Sequence, residues 1–387
     1  MKISVIGPTY PFRGGISQYT SLLVKSLRQQ QDDVQFLSFS RQYPSWLYPG
    51  SSDKDPSSSM ITFEEPDVVF DAINPIAWWN LSKAIWDYKA DLVILPWTVA
   101  YWAPYYYIFL KSLQIYTETK SLFICHNIFE HENTWLKNKL SRKVLSLGDF
   151  FITQSHWDKA NLLSWIGYPR QDQIRVSPHP IYDHLTSASV EKESARIKLK
   201  LKSARILLFF GFIREYKGLR FLLESIPLIL KHFPIHLVIA GEAWGGIERY
   251  KKIVQTLNLK DKVSFHDHYI PNEDVSSYFA AADLVVVPYT SASQSGIIQL
   301  AYGFQRPVVV SKVGGLPEVV VPERTGYIVE PGSSSQIANS VIHFFSTGQE
   351  SVMSKYIEAK QKHHSWSRMV ETIKEISQVI LTKRQFT

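Results

Sequence analysis

Short runs of Val, Ile, Leu and Phe recur along the chain, each followed by a stretch of helical periodicity. "KISVIG" precedes an amphipathic stretch from Ile16 to Gln29, and "ADLVILPW", "SLFICHN" and "DFFITQS" follow. After a polar, highly charged segment from Thr186 to Ala204 the pattern restarts with "RILLFFGFI", "IHLVIAG", "KVSFHDH", "DLVVVPY" and "RPVVVSK". Runs this short and this uniformly apolar are buried on both faces, which is the signature of parallel strands covered by helices. Two such series predict an α/β chain of two doubly wound, Rossmann-like domains. We place them at residues 1–185 and 200–365. A last helix, 366–387, is expected to cross back to the first domain. "PGSSDKDPSSSM", Pro49 to Met60, reads as a mobile surface loop.

A chain of 387 residues exceeds one ordinary core, in keeping with two domains. The formal charge of +7 favours anionic partners such as nucleotide phosphates or lipid headgroups. The basic residues are scattered rather than striped, so no nucleic acid is expected. One cysteine, Cys125, permits no internal disulfide. "MKISVIGP" lacks the apolar run of a signal peptide, and no window reaches the length of a spanning helix. The expected location is cytoplasmic, with the inner face of the membrane as a place of contact.

In open parallel sheets ligands bind beyond the carboxyl ends of the strands, so two facing domains would share one cleft. Gly14 and Gly15 end the loop after the first strand and open a helix. Their spacing from Gly7 fits neither a dinucleotide fingerprint nor a P-loop. In the second series "FFGFIREYKGL" holds the corresponding place, with Gly211, Arg214 and Lys217. Amide groups at helix starts attract anions, and Arg214 and Lys217 add positive charge. Alternatively, the glycines serve only turns that need positive φ.

The motifs "GPTYPFRGGISQYT", "ICHNIFEHE", "FFGFIREYKGLRFLLESI", "AGEAWG" and "RPVVVSKVGGLPEVVVPERTGYIVEPGS" together resemble the family-four retaining glycosyltransferases of GT-B fold. The resemblance covers nearly the whole chain. It implies transfer of a sugar from a nucleotide diphosphate to a glycan or lipid-linked acceptor with retention at the anomeric carbon. It implies no metal and no cofactor, the nucleotide sugar being a substrate. By the same resemblance Gly14 and Gly15 meet the diphosphate and sugar, Arg214 and Lys217 neutralise the diphosphate, and His126 contacts the donor sugar near the reacting centre. Backbone amides of Ser295, Gly296, Ile297 and Ile298 hold sugar or phosphate, and His268 and Tyr269 line the base. His126 could instead be a satisfied buried histidine, and His179 is expected to be structural.

The chain departs from the family at two places. Alignment on "QLAYGFQRPVVV" sets Ser291 and Gln299 where the family carries two glutamates for the sugar hydroxyls and the ribose. Gln299 can accept from a ribose hydroxyl without charge assistance, whereas Ser291 is too short to copy a glutamate. Two other functions therefore stand beside transfer: a non-catalytic sugar-nucleotide-binding subunit that regulates or scaffolds a partner, and a nucleotide-sugar epimerase of the same architecture. On the acceptor side the first domain is rich in aromatics. Trp97, Arg41 and Glu132 are the candidates there, and Trp and Tyr near Arg41, Lys83 and Lys111 suit a lipid-linked acceptor.

Overall fold

A computed structural model describes residues 1–44, 50, 52–58, 64–128, 135–182, 185 and 190–385. The chain divides into two compact units, one of Met1–Asp55, Thr62–Pro178 and Ser365–Thr387, the other of Pro56–Ile61 and His179–His364.

The described residues of the first unit form a seven-stranded sheet. Its strands are β1 (Lys2–Ile6), β2 (Asp33–Arg41), β3 (Val68–Asp71), β4 (Leu92–Trp97), β5 (Lys120–Cys125), β6 (Phe150–Thr153) and β7 (Ile174–Val176), in the order β3-β2-β1-β4-β5-β6-β7. Every pairing is parallel. The chain runs outward one way from β1 to β3 and the other way from β4 to β7. Right-handed crossovers therefore put helix Gly15–Gln29 on one face and helices Pro75–Tyr88, Ala103–Tyr116 and Trp135–Leu145 on the other. The latter three lie side by side. Their inner stripes, Trp78, Leu81 and Ile85 with Tyr106, Phe109 and Leu113, pack on Val93, Leu95 and Trp97 of β4 and Phe123 of β5. The last helix, Trp366–Gln385, lies in this same unit against helix Gly15–Gln29. Lys374 donates to the Gln30 side chain at 3.0 Å and lies 3.7 Å from Asp32.

The second unit holds a six-stranded parallel sheet of β8 (Ile206–Phe210), β9 (His236–Ala240), β10 (Val263–His266), β11 (Leu284–Val287), β12 (Val308–Ser311) and β13 (Gly326–Val329), ordered β10-β9-β8-β11-β12-β13. Here the order reverses between β8 and β11. Helix Lys192–Lys198 comes from the charged segment and belongs to this unit. Its Arg196 donates from Nη2 to both carboxylate oxygens of buried Asp283, at 2.9 and 3.0 Å, and this ties the helix to the sheet core.

The segment expected to be a mobile loop is tied down where it is described. Arg13 donates its backbone N–H to Asp53, and Asp55 donates to Pro11. Within the second unit Ser57, itself buried, accepts from the backbone N–H of Asn272 at 2.8 Å, at the start of helix Asn272–Ala281. A polar composition hid these contacts, because small hydroxyls are as suited to capping as to solvent.

Candidate functional site

The switch point of the second sheet lies between β8 and β11, where ligands settle in folds of this kind. The loop after β8 starts at Gly211, whose φ is +93°. The loop after β9 passes it so closely that a Cβ on Gly241 would lie 2.2 Å from the Gly211 carbonyl oxygen. Arg214 and the turn Glu215–Lys217 follow, and Gly218 (φ +65°) sends the chain into helix Leu219–Leu230. A Cβ on Gly218 would meet the Pro288 carbonyl oxygen at 1.9 Å, so the loops after β8 and β11 touch through backbone.

These close approaches enclose Lys217. Its side chain is buried, its Nζ would stand 3.3 Å from a Cβ on Gly211, and it sits 5.5 Å from the centre of the Tyr289 ring. Burial first, and the charge of Arg214 second, push its pKa down to about 7. The Arg214 guanidinium lies 5.2 Å from the ring centres of both Tyr216 and Trp244. Thr290 donates its backbone N–H and its hydroxyl to the Tyr216 carbonyl, at 2.7 and 3.1 Å, and so holds the two loops together.

Helix Gly296–Gly303 begins at the same place. Ser295 gives no side-chain cap to it and instead donates to the Tyr289 hydroxyl at 3.4 Å. Ile297 reaches to 3.3 Å from the Gly211 Cβ position. Gln299 is 1% exposed, and its side-chain oxygen has no hydrogen-bond partner. A buried acceptor left unpaired costs stability, so the sequence retains this one at a price in folding free energy. Ile298 is a core residue, and its N–H is taken by the Ser295 carbonyl at 3.2 Å. Gly296 abuts the Tyr182 hydroxyl, 3.1 Å from its Cβ position. Tyr182 donates to Nε2 of His179 at 3.3 Å, and Nδ1 of His179 donates to the Pro180 carbonyl. Burial lowers the His179 pKa to about 4, so this histidine is a neutral bracket for the helix start.

Gly211, Lys217, Ser295, Gly296, Ile297 and Gln299 thus gather around one switch point. Ser291 is exposed nearby in sequence. Tyr269 belongs to an aromatic run, 6.1 Å from Phe212, which in turn lies 4.5 Å from Trp244 beneath Arg214. His268 is exposed on the turn after β10. Sequence reasoning passed over Phe212, Trp244 and Tyr289. Trp244 stood inside the quoted "AGEAWG", and an aromatic beside a helix-opening glycine turn was the available signal.

In the first unit Gly14 has φ +105°, and a Cβ there would meet nothing within 4 Å, so conformation alone demands glycine. Gly15 is exposed at the first position of helix Gly15–Gln29. His126 directly follows β5, donates its N–H to Trp97 at 2.9 Å and meets the Tyr19 ring edge-on at 4.6 Å. Gln154 Nε2 lies 3.2 Å from its Nδ1, and an amide donating there leaves the imidazole proton on Nε2. Tyr19 also contacts Trp366 of the last helix. A recess of about 10 Å³, room for one water, lies beside β4 and β5 among Thr98, Asn127, Lys137 and Ser141.

One acceptor-side expectation changes. Trp97 is 1% exposed and packs on Tyr106 and Phe123, so its face is not offered to a sugar. Arg41 forks onto Asp71, whose hydrogen bond raises the guanidinium pKa and lowers that of the carboxylate. The guanidinium side chain nevertheless stays 54% exposed. Glu132 lies outside the described residues. Among the described residues no group of three His, Cys, Asp or Glu is placed to hold a metal.

Residues 204–347 match the model of the family "Glycosyl transferases group 1". That span lies within the second unit, and the fold of the chain is GT-B. A D-inositol 3-phosphate glycosyltransferase of Corynebacterium diphtheriae is 32% identical over 132 residues, 33% of this chain and 31% of that protein. Spore coat protein SA of Bacillus subtilis is 26% identical over 194 residues, 47% of this chain and 51% of that one. The chain thus spans about a third to a half of the curated relatives it matches. Among solved structures, HepE of Anabaena in complex with UDP superposes with a TM-score of 0.76 at 16% identity, over 98% of this chain and all of that one. Sucrose-phosphate synthase of Thermosynechococcus elongatus gives 0.72 at 17%, over 99% of both. The GT-B fold expected from the sequence is therefore present, and the group 1 match includes the gathered residues around Lys217.

Proposed function

We propose that the protein transfers a glycosyl unit from a nucleotide-diphosphate sugar to a glycan or lipid-linked acceptor, with retention of anomeric configuration. The observation that carries this reading is Lys217: a buried lysine, pKa about 7, beside Arg214 and an uncapped helix start. A protein gains nothing in stability from a desolvated ammonium without an anionic partner, but a diphosphate supplies one. HepE, of the same fold, has been crystallised with UDP and with UDP-glucose.

In this reading the bond from the anomeric carbon to the diphosphate oxygen breaks as the acceptor oxygen bonds to that carbon on the same face. The acceptor proton passes to the departing phosphate. Arg214, Lys217 and the amides at Gly296 and Ile297 meet the charge that develops on the diphosphate, so no metal is given a role. Tyr269, Phe212 and Trp244 offer a platform for the base. Gly14, Gly15 and His126 of the first unit serve the sugar and acceptor half of the reaction.

Gln299 and Ser291, in place of two glutamates, favour one second reading, a sugar-nucleotide-binding subunit without transfer activity. A thermal-shift screen with UDP, GDP, ADP and their sugar conjugates tests binding, since a ligand of the folded state raises the melting temperature by mass action. Release of free nucleotide in the presence of glycan or lipid-linked acceptors then separates transfer from binding alone. No shift with any nucleotide would sink both readings.

A further inference from the structure

The outer side of the three-helix layer of the first unit is apolar and basic where a solvated face should be mixed. On helix Pro75–Tyr88 the outward stripe is Ile76, Trp79, Lys83 and Trp86, spaced three and four residues apart. On helix Ala103–Tyr116 it is Pro104, Ile108, Lys111 and Ile115. Helix Trp135–Leu145 adds Trp135, 74% exposed, with Lys139, Arg142 and Lys143. Trp79 and Tyr116 touch edge to face across the first two helices, and Lys143 reaches over the Tyr107 ring at 4.6 Å. Single exposed apolar residues need no explanation, but a run of them across three adjacent helices does.

We infer that this face docks on an anionic lipid bilayer. Charge complementarity selects that occupant. The three helices carry six basic residues, Lys83, Lys111, Lys137, Lys139, Arg142 and Lys143, against one acid, Asp87, a net charge of +5. Tryptophan and tyrosine rings between lysines match the boundary between headgroups and acyl chains, where an amphipathic ring buries its face and a lysine reaches phosphate. No described helix is long and apolar enough to cross a membrane, so the contact is peripheral. The inference stands apart from the transfer chemistry, because none of these residues belongs to the nucleotide site.

Co-sedimentation with vesicles of phosphatidylglycerol and phosphatidylcholine in equal parts, and of phosphatidylcholine alone, tests it at low and high salt. The protein is expected to bind the anionic vesicles at low salt and to lose most binding at high salt. Lys139→Glu with Lys143→Glu should reduce the bound fraction at least tenfold. Trp79→Ser with Trp135→Ser should do so as well, with tryptophan emission no longer shifting to the blue. Lys251→Glu with Lys252→Glu on the second unit makes the same charge change elsewhere and should leave binding intact. Melting curves and nucleotide thermal shifts of all three variants should match the parent, so loss of vesicle binding is separated from misfolding and from failure of the donor site. Equal binding to neutral vesicles, no binding to either, or equal losses in the control variant would overturn the inference. So would self-association through these residues without vesicle binding.

Discussion

Lys217 is the residue whose physics asks most of a ligand. Burial depresses its pKa from the ordinary lysine value to about 7. The unfolded chain therefore holds this proton across a window, from about 7 to the ordinary lysine value near 10.4, in which the folded chain does not. The lysine destabilises the fold fully below pH 7 and progressively less as pH rises through that window. Lys217→Met should raise the melting temperature, most at pH 6 and least at pH 10, while weakening diphosphate binding. Binding of a diphosphate should return the proton, so calorimetry near pH 7.5 in buffers of different ionisation enthalpy should show proton uptake that Lys217→Arg abolishes. An unchanged heat across buffers would refute the ligand role. Arg214→Ala should weaken nucleoside diphosphates about ten- to a hundredfold, the worth of a charge-assisted hydrogen bond of roughly 1.5–3 kcal/mol. Free nucleoside should be nearly unaffected. Gln299→Glu places a charge where an unpaired oxygen now sits. A stronger hold on a ribose hydroxyl and repulsion from the diphosphate oppose each other, and the net change in nucleotide affinity should stay below tenfold.

At the scale of elements the glycines of the second unit separate two demands. Gly218 combines positive φ with a backbone oxygen 1.9 Å from any added Cβ, so Gly218→Ala should prevent the loops after β8 and β11 from meeting. Loss of soluble, cooperatively melting protein is expected. A variant that melted normally would show that the turn can move. Gly14 has open space around it, and Gly14→Ala should cost only the backbone strain of φ +105°, ψ 168°, a region essentially reserved for glycine, about 1–3 kcal/mol. The strands were legible in sequence, because both-face burial leaves an apolar run that no other element of that length needs. "RILLFF" became β8 and "DLVVV" became β11 with little displacement. The gathering of Lys217 with Gln299 was legible only through resemblance, since they lie 82 positions apart (299 − 217) and sheet order alone brings them together. Trp97 was not legible. A tryptophan at the carboxyl end of a strand fits a sugar platform as well as a core, and only the packing of Tyr106 and Phe123 decides between them. The pairing of Arg41 was not legible either, because Asp71, its partner, comes from a neighbouring strand thirty residues on.

Taken whole, the chain returns to where it began, and the last helix makes that return a condition of folding for the first unit. Met369, Val370, Ile373, Ile376 and Ile380 form one buried stripe of helix Trp366–Gln385. Burying such side chains contributes about 1.5–3 kcal/mol each, so the stripe accounts for on the order of 10 kcal/mol as an upper bound. A domain is stable by only about 5–15 kcal/mol in all. Removal would also uncover Tyr19, which Trp366 covers and on which His126 leans. A chain ended after His364 should therefore lose the folded first unit, although every strand of both sheets remains. Limited proteolysis should cut first within residues 1–178, while the second unit, still complete in its own strands, persists as a resistant fragment. Ile373→Asp tests the same stripe without shortening the chain, since it buries a charge with no partner, and should produce the same pattern of cleavage. A truncated protein that melts and resists protease as the full chain does would show that the helix is an ornament on a unit already stable without it.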